Sequence, residues 1–240
     1  MAKVAADHRA IARKIEQDRL KRMAAEFAVA LVDDGMVVGL GSGTTATIAL
    51  QVLAARIAKG LRIRGIPTSA AVGAVARRLN VPLTSFDEHD HIDITIDGAD
   101  EVERGSLNLI KGKGGALLRE KIVAQASRRM IVVVDESKLV DRLGRGAAVP
   151  VEVVPFGWQL VRDKLAKFCP AVVLRERNDS PFVTDGGNYV LDCNFGVIDD
   201  PQALERRLSL VTGVIESGLF LGLATRVVVG TKDGPRSLER

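Results

Sequence analysis

Val37 to Leu50 reads VVGLGSGTTATIAL: an apolar run, a short glycine-bearing loop, then the spacing of a helix. A strand, a tight loop and a helix in that order open an α/β unit, and the loop decides which kind. A dinucleotide-binding loop requires G-x-G-x-x-G, whose third glycine lets the helix pack closely on the sheet. Gly39 and Gly41 fit this pattern, but Thr44 holds the third place. The loop offers instead Ser42, Gly43, Thr44 and Thr45, with three hydroxyls and several backbone N–H groups where a helix begins. That set suits a single phosphate group, because unpaired first-turn donors and the helix dipole both favour an anion there. No Walker lysine follows, which disfavours a nucleoside triphosphate. The competing reading is a tight turn with a threonine cap and no ligand.

The same alternation recurs on both sides of this stretch. Leu20, Met23, Ala24, Phe27, Ala28 and Leu31 follow the rhythm of an amphipathic helix that stops near Gly35. TATIALQVLAARIAKG reads as a helix closed by Gly60. LRIRGI and SAAVGAVARRLN, HIDITID, ALLREKIVAQAS and MIVVVDES continue the strand and helix order. A Rossmann-like, mostly parallel sheet with helices on both faces is the expectation. Near LGRGAA the texture changes, and the following elements read β-α-β-β-α-β: VPVEVVP, GWQLVRDKLAKF, AVVLRER, NYVLDCNF, PQALERRLSL and GVIESGLF. This is the order of a ferredoxin-like α+β unit. The chain is therefore expected to divide into a Rossmann-like catalytic domain, residues 1–144 plus 221–240, and a smaller α+β domain, residues 145–220. The tail TRVVVGTKDG reads as a strand and turn that rejoin the first sheet.

Composition narrows the function. With 240 residues, 47% of them hydrophobic, the chain can bury a substantial core. Lys and Arg exceed Asp and Glu by 34 to 30, scattered along the sequence, which suits a small anion and argues against nucleic acid. One Trp and one Tyr provide no base-stacking platform. The two cysteines, Cys169 and Cys193, lie outside any C-x-x-C pattern and read as reduced core residues. No apolar run suits a signal peptide or a membrane span, so a cytoplasmic address without membrane contact is expected. EHDHID holds His89 and His91 among acidic residues, but without a second ligand cluster it reads as a solvated loop, and no metal is expected. His8 falls near the start of the chain and carries no motif.

Two further loops carry chemistry. In HIDITIDGADEVE a strand ends at Asp97, and Gly98 and Ala99 leave Asp97 and Asp100 free at the strand's carboxyl end, where open α/β sheets bind ligands. Carboxylates there can move protons between sugar oxygens, although Asp-Gly is also an ordinary turn. In LIKGKGGALLREKI, Lys111 and Lys113 alternate with Gly112, Gly114 and Gly115 before a helix that carries Glu120. A lysine that steadies an oxyanion and a carboxylate that takes a proton are what enolisation of a carbonyl compound needs. The plain alternative for Glu120 is a helix-surface glutamate paired with Lys121 or Lys113.

Taken in order, GLGSGTTA, DGADEVE, KGKGGALLREKI, VVVDESKLV and VIESGLF followed by GTKDG closely resemble type A ribose-5-phosphate isomerases, over about Lys21 to Gly234. The resemblance implies an aldose–ketose isomerase that interconverts ribose 5-phosphate and ribulose 5-phosphate through a cis-enediolate. It implies no metal or organic cofactor, and a homodimer or homotetramer. The family's catalytic glutamate falls on Glu120, its lysine on Lys111 and its aspartates on Asp97 and Asp100. Its substrate loop falls on Ser42 to Thr45, and two further lysines on Lys21 and Lys138. Lys113 departs from the pattern, because many members carry glycine there. From another class, a sugar-phosphate-sensing domain without catalysis would share the fold. Amino-sugar phosphate deaminases, lactonases and CoA transferases are the enzyme alternatives.

Overall fold

The structure, a computed structural model, describes residues 2–240, with side chains from Lys14 onward. His8 lies outside the described side chains. Among the described residues the helices are α1 (Ala2–Val29), α2 (Gly43–Ile57), α3 (Ala70–Arg78), α4 (Leu117–Gln125), α5 (Trp158–Leu165) and α6 (Pro201–Ser209).

The strand Val37–Leu40 is buried along its length and pairs in parallel with Arg64–Pro67 on one side and Ile94–Asp97 on the other. Met130–Asp135 and Arg226–Thr231 extend the sheet in parallel, and Gly234–Glu239 closes its edge antiparallel. Strands covered on both faces are mostly apolar, as the buried VVGL, ITID and MIVVVD runs are, and their polar residues Thr95, Asp97 and Asp135 find hydrogen-bond partners. The strand order reverses at Val37–Leu40: the chain first moves outward to Arg64–Pro67, then returns past Val37–Leu40 to Ile94–Asp97 on its other side. Open sheets form a ligand crevice at the carboxyl ends of the strands flanking such a reversal. The loops starting at Gly41 and at Gly98 leave from those two ends.

A second sheet runs Val214–Ser217, Val149–Val153, Tyr189–Asn194, Ala171–Leu174, antiparallel throughout. With α5 and α6 it has the β-α-β-β-α-β order expected from the sequence. Val151, Val153, Leu165, Leu191 and Leu208 fill its core together with the free, buried thiols of Cys169 and Cys193.

The sequence reading joins GVIESGLF into one strand, but the chain breaks at Gly218. A Cβ there would strike the Lys111 carbonyl oxygen and Pro150. Val214–Ser217 stays in the second sheet, whereas Leu219–Phe220 enters a third, beside Leu109–Ile110, Glu101–Glu103 and Leu139–Val140. Strands of two or three residues are too short to show a period in sequence, so this sheet was illegible there. It has a functional consequence: Lys111 directly follows Leu109–Ile110, and its N–H is fixed by the Gly218 carbonyl at 2.9 Å. No described helix is long and apolar enough to cross a membrane.

Candidate active site

Lys111 turns inward from the third sheet. Its Nζ lies 3.1 Å from Asp97 Oδ2 and 3.2 Å from Glu120 Oε1, and it donates a 2.5 Å hydrogen bond to the Gly98 carbonyl. All three ionisable side chains are buried. Asp97 closes the strand Ile94–Asp97, and its Oδ1 accepts from the backbone N–H groups of Ser42 (3.0 Å) and Gly98 (2.7 Å). One carboxylate thus ties together the two loops that leave the sheet at its reversal. Gly41 makes room for it, since a Cβ there would run into the Asp97 side chain. Gly41→Ala is expected to cost roughly 1–3 kcal/mol of stability, the usual penalty for overpacking, read as a lower urea midpoint with unchanged slope.

Glu120 sits in the first turn of α4, with Oε2 buried and unpartnered. Burial lifts its carboxyl from the ordinary 4.5 to about 7, with Lys111 pulling against the shift and Asp97 adding to it. Asp97 is also raised by burial, against the pull of Lys111. Burial alone would discharge Lys111, but Asp97 and then Glu120 outweigh it and hold the ammonium charged. A buried oxygen without a partner is costly unless a ligand takes it up. Here it belongs to a carboxylate with a near-neutral pKa beside a fixed positive charge, an arrangement suited to accepting a proton from carbon.

A cavity of about 350 Å³ opens over this cluster. Ser42, Gly43, Thr44, Thr45, Gly98, Ala99, Asp100, Lys111, Gly112, Lys113, Gly114 and Glu120 line it, with Lys21 and Lys138. Of the site residues anticipated from sequence, Asp97 alone does not line it, being wholly buried against Lys111. A wider groove of about 890 Å³ adjoins, sharing Asp100, Lys113 and Lys138 but reaching none of Lys111, Asp97 or Glu120. The smaller cavity therefore holds the chemistry.

Ser42, not a threonine, is the N-cap of α2, and its hydroxyl bonds to the hydroxyls of Thr68 (2.7 Å) and Ser69 (3.1 Å) instead of capping the helix. The first-turn N–H groups of α2 are thereby left without a side-chain cap, as an anion site requires. Lys121 does not pair with Glu120; it faces Glu216 (2.6 Å) and Glu205 (3.2 Å) on the other side of α4. The Nζ atoms of Lys111 and Lys121 lie 5.4 and 5.2 Å from the centre of the Phe220 ring. Asp135 accepts from the Ser137 N–H (3.0 Å) and hydroxyl, caps the turn Glu136–Lys138, and stands 3.9 Å from Lys21 Nζ. It thus touches one cavity-lining lysine, Lys21, and caps the turn that carries another, Lys138. Thr68, Ser69 and Asp135 were not anticipated; Thr68 and Ser69 follow the carboxyl end of Arg64–Pro67 and Asp135 closes Met130–Asp135, and that position at a strand's carboxyl end is the one signal that marks them. Elsewhere, His91 Nδ1 lies 2.6 Å from Asp90 in an exposed loop. Among the described residues no three His, Cys, Asp or Glu side chains converge as a metal site.

The family model of ribose 5-phosphate isomerase A (phosphoriboisomerase A) matches residues 64–234. The chain belongs to this family. It is 54% identical over 217 residues to ribose-5-phosphate isomerase A of Gluconobacter oxydans, covering 89% of this chain and 94% of the relative. To that of Gloeobacter violaceus it is 51% identical over 220 residues, with 92% and 96% covered. Among solved structures it is similar to a D-ribose-5-phosphate isomerase in complex with phospho-erythronic acid, with TM-score 0.90, 41% identity, and 93% and 99% of the two chains covered. Ribose 5-phosphate isomerase A of Methanocaldococcus jannaschii superposes with TM-score 0.87 at 42% identity, over 92% and 99% of the chains. Ribose-5-phosphate isomerases of the A type are thus the relatives of the whole assembly: the parallel sheet, the second sheet, and the loops that carry Lys111 and Glu120.

Proposed function

We propose that the cavity binds ribose 5-phosphate and ribulose 5-phosphate and interconverts them through a cis-enediolate, without a metal or organic cofactor. The observation that carries this reading is the unpartnered Oε2 of Glu120, buried beside Lys111 at the wall of a cavity lined by hydroxyl-bearing residues, glycines and lysines. The phosphate sits at the N-terminus of α2, against Thr44, Thr45, Lys21 and Lys138, and places the sugar carbon chain over Glu120. Asp100 lines the cavity; it takes the proton of the anomeric hydroxyl as the bond between C1 and the ring oxygen breaks, and hands that proton on to the ring oxygen, which becomes the C4 hydroxyl. Glu120 then removes the proton from C2 of the open aldehyde and delivers it to C1. A proton passes from O2 to O1, and Lys111 stabilises the oxygen that is negative in between.

The sequence reading gives Asp97 and Asp100 together the movement of protons between sugar oxygens, and the geometry favours separate duties. Asp97 is wholly buried, so in this reading it acts through others: it holds Lys111 charged and aligns the Ser42 and Gly98 amides. Lys113 lines both the cavity and the groove, and in this reading its ammonium draws the anionic substrate inward.

The activity should titrate with Glu120. The base must be ionised, so kcat/KM is expected to rise as pH increases through about 7 and to fall below it. A kcat/KM for ribose 5-phosphate that stays flat from pH 5.5 to 8 would remove Glu120 as the base. The phosphate grip has a different signature. Thr45→Ala and Lys21→Ala are each expected to raise KM by roughly tenfold or more with kcat within about threefold, because they remove binding common to ground and transition states. A fall in kcat at unchanged KM would move those residues to the reacting end.

The reading includes self-association as a dimer or tetramer in the cytosol. Phe156 and Leu210, 94% and 83% exposed, place large apolar side chains on the surface around the second sheet, and light scattering reads the mass directly. The two free thiols suit a reducing compartment.

A further inference from the structure

Arg175 takes no part in the proton transfer or the phosphate grip described above, yet its guanidinium makes four hydrogen bonds beside the site. It follows the strand Ala171–Leu174 of the second sheet. Its Nε and Nη2 bind the Asp192 carboxylate, the first at 2.9 Å. Its Nη1 donates to the carbonyl oxygens of Gly112 (2.9 Å) and Lys113 (3.1 Å), in the loop between Lys111 and Glu120. The side chain is only 15% exposed, so these bonds compete little with water.

In a trans peptide the C=O and the following N–H point in opposite directions. With the Gly112 carbonyl turned to Arg175, the Lys113 N–H must face away from it, and it donates to Asp100 Oδ2 at 3.0 Å. With the Lys113 carbonyl also turned to Arg175, the Gly114 N–H faces the same side as Asp100, where Gly114 lines the cavity. Gly112 itself adopts φ +102°, which other residues avoid, and this turns its carbonyl away from the path that Lys111 sets and toward Arg175. One arginine of the second sheet therefore sets the direction of two peptides, and the first of them holds Asp100.

We propose that Arg175 is a positioning residue for ring opening: it fixes the Gly112–Gly114 peptides from the second sheet and thereby holds Asp100 against the sugar. The inference rests on the role given to Asp100 above. It can be separated from proton transfer by the chemistry of the two sugars. Ribulose 5-phosphate has its C5 oxygen esterified and its carbonyl at C2, so it cannot close a furanose. Exchange of its C1 proton with solvent reports enolisation alone, whereas turnover of ribose 5-phosphate includes ring opening.

The experiment measures both reactions in Arg175→Met and Asp100→Asn. Arg175→Met is expected to lower kcat/KM for ribose 5-phosphate by about tenfold or more while C1 exchange of ribulose 5-phosphate stays within about threefold, and Asp100→Asn to show the same selectivity. Asp192→Asn, which loosens the guanidinium without removing it, should give the same pattern at smaller amplitude and serves if Arg175→Met does not fold. Equal loss of both reactions in the Arg175 and Asp192 variants, beside a selective Asp100→Asn, would overturn the inference, as would unchanged turnover of ribose 5-phosphate. Equal loss in Asp100→Asn would instead remove Asp100 from ring opening, and the inference with it.

Discussion

Glu120→Gln is expected to lower kcat for ribose 5-phosphate by about 10²–10⁴-fold, the usual worth of a positioned general base, with KM within about threefold. Gln has nearly the shape of Glu and can still accept from Lys111, so binding should survive while proton removal is lost. Stability should move the other way. The folded-state pKa of Glu120 is raised above the ordinary 4.5 to about 7. For a carboxyl with a raised pKa, the stabilising contribution is present below the unfolded value and is lost as pH rises through the folded one. Above pH 7 the wild-type fold therefore bears an ionised, buried and half-partnered carboxylate that Gln does not have. The Tm of Glu120→Gln relative to wild type should increase between pH 5 and pH 8, by several degrees. A kcat within tenfold of wild type would remove the base assignment. A variant that becomes relatively less stable with rising pH would contradict the electrostatics of the site.

Lys111→Met is expected to lose activity and stability together. Removing one well-placed oxyanion donor lowers kcat by roughly 10²–10³-fold. Removing the cation also strands Asp97, 3.1 Å away and wholly buried, and breaking a buried pair from one side typically costs about 3–5 kcal/mol. The two losses can be separated. In Lys111→Met with Asp97→Asn the stranded charge is gone, so urea unfolding should recover much of the stability, while kcat should stay at the level of the single variant. The double-mutant cycle then measures the coupling directly. Recovery of activity in the double variant would mean that Lys111 serves only to neutralise Asp97.

Much of this molecule is legible in its sequence. Parallel strands buried on both faces leave apolar runs such as MIVVVD, and the β-α-β-β-α-β order of residues 149–217 survives as strand and helix periods. The loops at Ser42, Asp97 and Lys111 were recognisable because glycine, hydroxyl and charged residues interrupt those periods at strand ends. What stayed hidden depends on distance across the fold. Nothing in sequence relates Arg175 to the Gly112 carbonyl or Asp135 to Lys21, since those partners come from different sheets or opposite parts of the chain. The break at Gly218 was hidden for the same reason: its cause is the close approach of the Lys111 and Pro150 backbones, which a strand propensity does not report. Burial was hidden as well. A glutamate on a helix beginning LLREK reads as a surface residue, and only the packing of α4 against the strand Val214–Ser217 and Phe220 shows that Glu120 and Lys121 are inside.

The measurement that bears most directly on the central claim is proton exchange followed by NMR, with ribose 5-phosphate, D₂O, EDTA and no added metal. Formation of ribulose 5-phosphate carrying solvent deuterium at C1 is the expected result, because an enediolate returned to carbon by Glu120 passes its proton through an exchangeable carboxyl. Ribulose 5-phosphate that stays free of deuterium through prolonged incubation at equilibrium, over many turnovers, would indicate hydride transfer between C2 and C1 and contradict the assignment of Glu120. Saturable binding with neither product nor exchange would contradict catalysis itself.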